Sequence, residues 1–568
     1  MTRTEIASST LPARIERAIE RGGAITFVGP SDPVRVPWSQ LHTEAQAAAA
    51  ALQARGITAG AHVALLGPTT RGLVTSIEAV WLAGAAAIVL PLPMRLGSLE
   101  EFVSQTRVRI ANADVNLVVI DPDLAAFIEP APGDPPMVLL NEIVGEAATG
   151  TDGRPVTAAD FVAPEIDPES LAILQFTSGS TADPKGVMLP HRTVLANLDG
   201  VATAAEVDVD TDVLISWLPL YHDMGLIGCL TLPMITGMDL VLAAPQDFLA
   251  APARWMQWIS DFRGTATAGP NFSYALAARA LKRMEGLDLS TWRIALNGAE
   301  PVDPVTMEAF LEAATPHGFN PGAAFPAFGM AEVAIGGTFP EPGRGLVTDA
   351  VDKHALENER YAAPLSPAEA GDRPIRHLAR LGRPVPGLQI RITDPETGSV
   401  LAEREVGELE ITGSSVTPGY YKHPEATALA FRDGWLRTGD LAYMVDGELV
   451  VCGRIKDMII IGGRNVYPED VERAAADVDG VRAGNVIAFG VDGRKGREAL
   501  VVVAESKSGA EALAGVRSAV SQKVTQSVGL PPGDVVLVPP GTLPKTSSGK
   551  LQRSLCRSRY LDSDLQPI

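Results

Sequence analysis

Beyond Pro37 the chain alternates between two periodicities. Apolar residues recur at helical spacing over 39–55 and 70–83, and short apolar runs fill His62–Leu66, 86–90 and Leu117–Ile120. Helical stretches separated by short buried runs are the pattern of βαβ units around a mainly parallel sheet. A further run at 171–174 reads as a buried strand. The most apolar window, 73–93, is interrupted by Glu78, Gly84 and Pro91, so it reads as a buried helix and strand rather than a membrane span. The rhythm lapses between 341 and 380, where proline, alanine and charge dominate, and an insertion or long loop is expected there. The texture changes again near 453–457. A helix over 468–477, strands at 485–489 and 499–504, a helix over 510–526 and a strand at 535–538 then make a small α+β unit. The expected fold class is α/β: a large N-terminal domain of several subdomains, residues 1–455, and a small mobile α+β domain, residues 456–568.

At 568 residues the chain is too long for one core, which agrees with that division. A net charge of −21 argues against a nucleic-acid partner. Three cysteines, Cys229, Cys452 and Cys556, lie far apart without metal-ligand or redox spacing, as in a reducing compartment. Residues 1–10 carry no apolar signal region. A soluble, cytoplasmic protein is expected.

Candidate chemistry begins at Gln175-Phe176-Thr177-Ser178-Gly179-Ser180-Thr181-Ala182-Asp183-Pro184-Lys185-Gly186. Glycine lets backbone approach a ligand closely, and successive free N–H groups form an anion-binding concavity. With Ser and Thr hydroxyls and a lysine added, the loop suits a polyphosphate; an ordinary surface turn has much the same composition. The spacing is not that of a Walker A loop, because Lys185 follows Pro184 and precedes Gly186. Gly549-Lys550 is followed by Leu551 and fails the same test.

More short segments follow in order: Phe328-Gly329-Met330-Ala331-Glu332, Trp435-Leu436-Arg437-Thr438-Gly439-Asp440, Gly453-Arg454-Ile455-Lys456-Asp457, and Pro544-Lys545-Thr546-Ser547-Ser548-Gly549-Lys550. In this order and separation they resemble the adenylate-forming superfamily of acyl-CoA synthetases, luciferases and peptide-synthetase adenylation domains. The resemblance covers nearly the whole chain. It implies that a carboxylate attacks the α-phosphorus of ATP, pyrophosphate leaves, and a thiol then takes the acyl group. Thr177, Ser178, Gly179, Ser180, Thr181 and Lys185 would cradle the phosphates, and Glu332 would hold Mg²⁺, a cation suited to carboxylate and phosphate oxygens. Gly298, Ala299 and Glu300, with Phe328, Gly329 and Met330, would line the base pocket. Asp440 would accept from the ribose hydroxyls and Arg454 would approach ribose or phosphate. Lys550 would be the catalytic lysine and Lys456 the hinge. Each of these side chains, met singly, would read as solvated charge or core.

Two features narrow the branch. Trp217-Leu218-Pro219-Leu220-Tyr221-His222-Asp223-Met224-Gly225-Leu226 and Gly269-Pro270-Asn271-Phe272-Ser273-Tyr274 resemble fatty acyl-AMP ligases more than general acyl-CoA synthetases. His222 would sit beside the carboxylate, with Trp217, Phe272, Tyr274 and Leu276 as candidates for the acyl tunnel. Fifty positions separate Glu332 from Gly382, so an insertion lies around 343–380, where the resemblance associates extra residues with loss of CoA-thioester formation. A tolerated surface loop is the plainer alternative. Ala182 and Ala331 depart from the commoner glycine and threonine, and neither removes a charge. The implied activity is formation of a medium- or long-chain fatty acyl-AMP, followed by transfer to the phosphopantetheine thiol of a separate acyl carrier protein. An acyl-CoA synthetase is the main alternative. An amino-acid adenylating enzyme would use Asp223 for the substrate amino group, against which Leu220, Met224, Leu226 and Ile227 favour an alkyl chain.

Overall fold

A computed structural model describes residues 9–92, 99–128, 130–145, 148–176, 184–461, 464–492, 498–546 and 550–568. The first sheet runs Met137–Leu139, Leu117–Ile120, His62–Leu66, Ala86–Val89, Leu171–Phe176, Gly186–Pro190. Five of its strands are parallel, and Gly186–Pro190 returns antiparallel to Leu171–Phe176. The helix expected over 39–55 forms as Trp38–Ala54, directly after Pro37. Arg71–Leu82 is capped by the Thr70 hydroxyl, which accepts from Leu73 N. The apolar window is therefore a buried helix and a strand. Among the described residues no helix is long and apolar enough to cross a membrane.

A second sheet does most to place chemistry. Its order is Ala324–Pro326, Ile294–Asn297, Ala266–Gly269, Val213–Ser216, Asp239–Ala243, Ala24–Val28, Val34–Pro37, parallel except for the last strand. The first four strands are spatial neighbours, and each ends in a segment singled out by sequence. In open α/β sheets ligands bind beyond the carboxyl ends of strands. Behind them stands an aromatic core: Trp255 packs edge-on to Trp217, Tyr274 and Trp292 at centroid distances of 5.9, 5.3 and 5.9 Å.

A five-stranded antiparallel sheet follows, built on Leu388–Thr393, Gly407–Gly413, Trp435–Val445 and Glu448–Arg454, with the short Phe431–Arg432 at one side. The small C-terminal domain has its own core, starting at Ile459. It holds the sheet Val481–Asp492, Glu498–Ser506, Asp534–Val538 and the helices Pro468–Ala476, Ala510–Val528 and Arg553–Leu561.

The stretch expected as an insertion or long loop is folded. Thr348–Asp352 and Ile375–Ala379 pair antiparallel, and the helix Lys353–Glu359 lies between them. Val351, Leu356 and Leu378 pack with Tyr443, Val450 and Tyr467, and buried charges, which interrupt the apolar strand pattern, anchor the segment further. Lys353 lies 3.3 Å from Asp470 of the C-terminal domain and donates to Ser527 O at 3.0 Å. Arg376 pairs with Asp470 at 3.2 Å and stacks over the Tyr467 ring at 4.1 Å. Glu357 accepts from Arg464 Nη2 at 2.6 Å, while its backbone carbonyl accepts from Asn465. Lys353, Glu357, Arg376 and Asp470 are each at least nine-tenths buried. A cavity of about 330 Å³ opens along this seam, away from the sequence-picked residues.

Candidate active site

Strand Val213–Ser216 delivers Trp217, and the chain then turns at Tyr221-His222-Asp223 into a π-helix, Met224–Thr231. Such helices are rare and concentrate at functional sites. Gly225 is obligatory in this turn, because a Cβ there would come 2.2 Å from Pro219 O. Asp223 caps the π-helix, accepting from Met224 N at 2.8 Å, and also pairs with the imidazole of His222. The neighbouring strand Ala266–Gly269 delivers Phe272, whose N–H donates to Glu300 Oε1 at 2.9 Å. Glu300 follows Ile294–Asn297 through Gly298 and Ala299, and Ala299 has φ = 70°, a strained conformation for alanine. Beyond Ala324–Pro326 come Phe328, Gly329 and Met330, with Phe328 half-buried, and then Glu332 in a short 3₁₀ turn.

Lys550 enters this cleft from the C-terminal domain. Its N–H donates to Thr546 Oγ1 at 3.1 Å, and its carbonyl accepts from Thr546 N at 2.8 Å. Together with Trp217, His222, Met224, Phe272 and Ala299 it lines a cavity of about 30 Å³. That is room for about one or two waters. Trp217 forms the wall, stacked on Phe248 at 3.7 Å. Tyr274 does not line it: the ring is fully buried in the aromatic core and its hydroxyl donates to Leu296 O at 2.8 Å. Tyr274 supports the wall, and Leu276 likewise is not among the lining residues.

Asp440 and Arg454 face each other across paired strands, Arg454 Nε donating to Asp440 Oδ1 at 2.9 Å. Lys456 follows in the turn Ile455–Asp457. Lys185 lies 5.3 Å above the ring of Tyr420, and the Tyr420 hydroxyl donates to Glu332 Oε1 at 2.9 Å. Thr177, Ser178, Gly179, Ser180 and Thr181, expected at the phosphates, lie outside the described residues, as do Ser547, Ser548 and Gly549.

Burial dominates the electrostatics. It lowers Lys550 from the usual lysine value of 10.5, against the opposing pull of Asp223, Glu300 and Asp440. Burial raises Glu300, against the Phe272 N–H and the charge of Lys550. It raises Glu332, against the Tyr420 hydrogen bond, and Asp440, against Arg454. Asp223 goes the other way: burial would raise it, but His222 and Lys550 together bring it below the ordinary 3.8. Asp223 and Tyr420 are the residues sequence reasoning missed. Asp223 was visible beside His222 but weighed only as an amine partner, and Pro418-Gly419-Tyr420-Tyr421 carried no recognised signal.

This arrangement, with a lysine from a small docked domain facing carboxylates at the ends of parallel strands, defines an adenylate-forming enzyme. The family model described as AMP-binding enzyme matches residues 15–421, and the chain belongs to that family. A putative ligase of Mycobacterium tuberculosis, Rv1013, is 39% identical, covering 92% of this chain and 94% of its own. The medium-chain-fatty-acid–[acyl-carrier-protein] ligase JamA of Moorena producens is 36% identical over 71% of this chain and 70% of its own. Among solved structures, one from a study of fatty acyl-adenylate ligases of E. coli and L. pneumophila superposes with a TM-score of 0.88, at 29% identity and 98% coverage of both chains. The protein is thus an adenylate-forming fatty-acid ligase, for which ATP use is expected.

A carboxyl whose pKa is raised by folding costs stability once it ionises, from its unfolded value upward. Glu300→Gln keeps the acceptor for Phe272 N–H and removes that cost. The variant is expected to melt above the parent near neutral pH, the gap closing as pH falls below about 4.5, the ordinary glutamate value. Thermal melting across pH measures it; a constant or negative gap would contradict the burial assignment.

Proposed function

We propose that this protein is a fatty acyl-AMP ligase that activates a medium- or long-chain fatty acid with ATP, releases pyrophosphate, and passes the acyl group to the phosphopantetheine thiol of a separate acyl carrier protein. Lys550 supplies the cation on which charge develops as the carboxylate and α-phosphate oxygens meet, in a site where burial strengthens every such interaction. His222, oriented by Asp223, stands beside the incoming carboxylate. Asp440, held by Arg454, receives the ribose hydroxyls, and Phe328 offers its half-buried face to the adenine. Trp217, Met224 and Phe272 exclude water around the alkyl chain. Lys456 is the hinge, at the boundary between domains of 1–455 and 456–568.

Glu332 fits a Mg²⁺ site of the kind completed by phosphate oxygens and water. Its carboxylate is nine-tenths buried, and only one oxygen is engaged by Tyr420. Among the described residues no three His, Cys, Asp or Glu side chains cluster to hold a metal without substrate. When bound, the ion would neutralise phosphate charge.

One observation carries the preference for an acyl-AMP product over acyl-CoA. Lys550 lines the cavity while the insertion's buried Lys353, Glu357 and Arg376 hold Asp470 and Arg464 of the same C-terminal domain. Moving that domain about Lys456 for a thiol-transfer step would expose or unpair these ions, which is costly; the contact surface of a docking carrier protein can offset that cost, and a free CoA offers far less of it. The name of JamA, an acyl-carrier-protein ligase, supports a carrier as acceptor.

Incubation with ATP, Mg²⁺ and dodecanoate, with and without CoA, is expected to accumulate dodecanoyl-AMP with little thioester by mass spectrometry. Rapid conversion to dodecanoyl-CoA would overturn the reading. Asp470→Asn combined with Glu357→Gln leaves Lys353, Arg376 and Arg464 repelling one another and is expected to release the domain, so that dodecanoyl-CoA appears. A double variant that still makes dodecanoyl-AMP but no thioester would dismiss the seam as the cause.

Lys550→Ala is expected to lower kcat for adenylation by about 10²–10³ with little change in ATP affinity, because the lysine acts on developing charge. The charged form is required and its pKa is lowered, so activity should fall on the alkaline side below the usual lysine range of 10.5. Lys550→Arg should lose that alkaline limb, since guanidinium stays protonated. A pH–rate profile unchanged in Lys550→Arg would refute the assignment.

A further inference from the structure

The strand Gly186–Pro190, which leaves the phosphate loop, is cross-braced by a short segment far away in sequence. Met188 N donates to Gly419 O at 3.1 Å, and Tyr421 N donates to Gly186 O at 2.8 Å. The Thr417 hydroxyl donates to Met188 O at 2.6 Å. The same segment grips the turn that carries Glu332, since Thr417 N donates to Glu332 O at 2.8 Å. Gly419 makes the bend possible: its φ is 142°, and a Cβ there would lie 2.4 Å from Thr427. Tyr420 N is tied to Thr427 Oγ1 at 3.0 Å, which fixes where the Tyr420 ring begins.

From that fixed base one side chain meets two groups of opposite charge with two different parts. The ring face lies under Lys185 Nζ at 5.3 Å, within the range where the aromatic quadrupole attracts a cation. The hydroxyl donates to Glu332 Oε1 at 2.9 Å. That bond holds one carboxylate oxygen of Glu332 in place and removes one rotational freedom from a buried carboxylate. A tyrosine meant only to fill space would not need a buried anion for its hydroxyl.

We propose that Tyr420 is a positioning residue that sets Lys185 and Glu332 at a fixed separation, so that the lysine and the carboxylate meet the β- and γ-phosphates and their Mg²⁺ as one unit. The inference rests on the phosphate and Mg²⁺ roles proposed above. It does not depend on whether the acyl group goes to CoA or to a carrier.

The two contacts separate by substitution. Tyr420→Phe keeps the ring and removes the hydroxyl, and Tyr420→Leu removes both. ATP affinity is read by isothermal titration calorimetry, once with Mg²⁺ and once with EDTA, alongside kcat and KM for ATP. Tyr420→Phe is expected to bind ATP like the parent in EDTA and to lose about tenfold of the affinity gained on adding Mg²⁺, as suits loss of a hydrogen bond to a charged group. Tyr420→Leu should additionally weaken ATP binding in EDTA. In a Glu332→Gln background Tyr420→Phe should have no further effect on the Mg²⁺ response. Equal losses with and without Mg²⁺ in Tyr420→Phe, or additive losses in the Glu332→Gln background, would overturn the coupling. If Tyr420→Leu fails to fold, Tyr420→Phe and the double variant still decide the matter. A Glu332→Gln variant that responds to Mg²⁺ like the parent would instead remove the Mg²⁺ role proposed for Glu332, a result distinguishable from failure of Tyr420 alone.

Discussion

Charge withdrawn from water in one cleft sets the terms for the structure around it. Burial raises Glu300, Glu332 and Asp440 and lowers Lys550, whereas Asp223 is lowered against burial by His222 and Lys550, and Arg454 is raised chiefly by Asp440. A single ion in such a place would neutralise itself rather than remain charged. These groups hold one another instead, so they have to arrive together from different parts of the chain. Four neighbouring parallel strands end at the cleft and bring Trp217–Asp223, Phe272, Glu300 and Phe328–Glu332 within reach of one another. The lysine cannot come from that sheet without being present at every stage of a reaction, and it comes instead from the small domain.

Docking of that domain is consequently an electrostatic event as well as a packing one. Lys550 opposes the carboxylates inside the cleft, while Asp470 and Arg464 meet Lys353, Arg376 and Glu357 outside it. Each set pairs buried charges of opposite sign. Buried ion pairs contribute little net stability when complete and cost several kcal/mol when broken. The seam therefore adds little to the stability of the docked state and much to the penalty for leaving it halfway. That is the behaviour wanted of a part that specifies position.

Much of this was legible in sequence, for identifiable reasons. Apolar strands such as His62–Leu66 and helices such as Trp38–Ala54 obey simple periodicity, because one face or both are buried against apolar neighbours. Glu332, Asp440, Arg454 and Lys550 stand out in sequence because the proposed chemistry needs fixed residue types in a fixed order, and the structure draws their electrostatics together: the Asp440 and Arg454 side chains pair, and Asp440 pulls on Lys550. The folded insertion was not legible, since Lys353, Glu357 and Arg376 are buried where the pattern expects solvent. Tyr274 was misplaced for the converse reason: an aromatic beside Phe272 fits a tunnel or a core equally well, and only its bond to Leu296 O decides. Tyr420 escaped because its two partners, Lys185 and Glu332, lie 235 and 88 positions away, and no local pattern encodes such a meeting.

The same distances bear on how acceptor choice and chemistry are divided in the molecule. On the proposed reading the groups beside Lys550 act on a carboxylate and a phosphate before any thiol is present, so they do not choose between a CoA thiol and a carrier thiol. The seam at Lys353, Arg376 and Asp470 lies away from the cleft, and on that reading it sets where the lysine's domain goes. On the proposed reading, activation and acceptor selection are properties of separate residue sets joined only through one rigid domain. Substitutions in the seam would then alter the fate of the acyl-adenylate while sparing its formation, whereas substitutions at Tyr420, Glu332 or Lys185 would alter formation and leave the preference for acceptor intact.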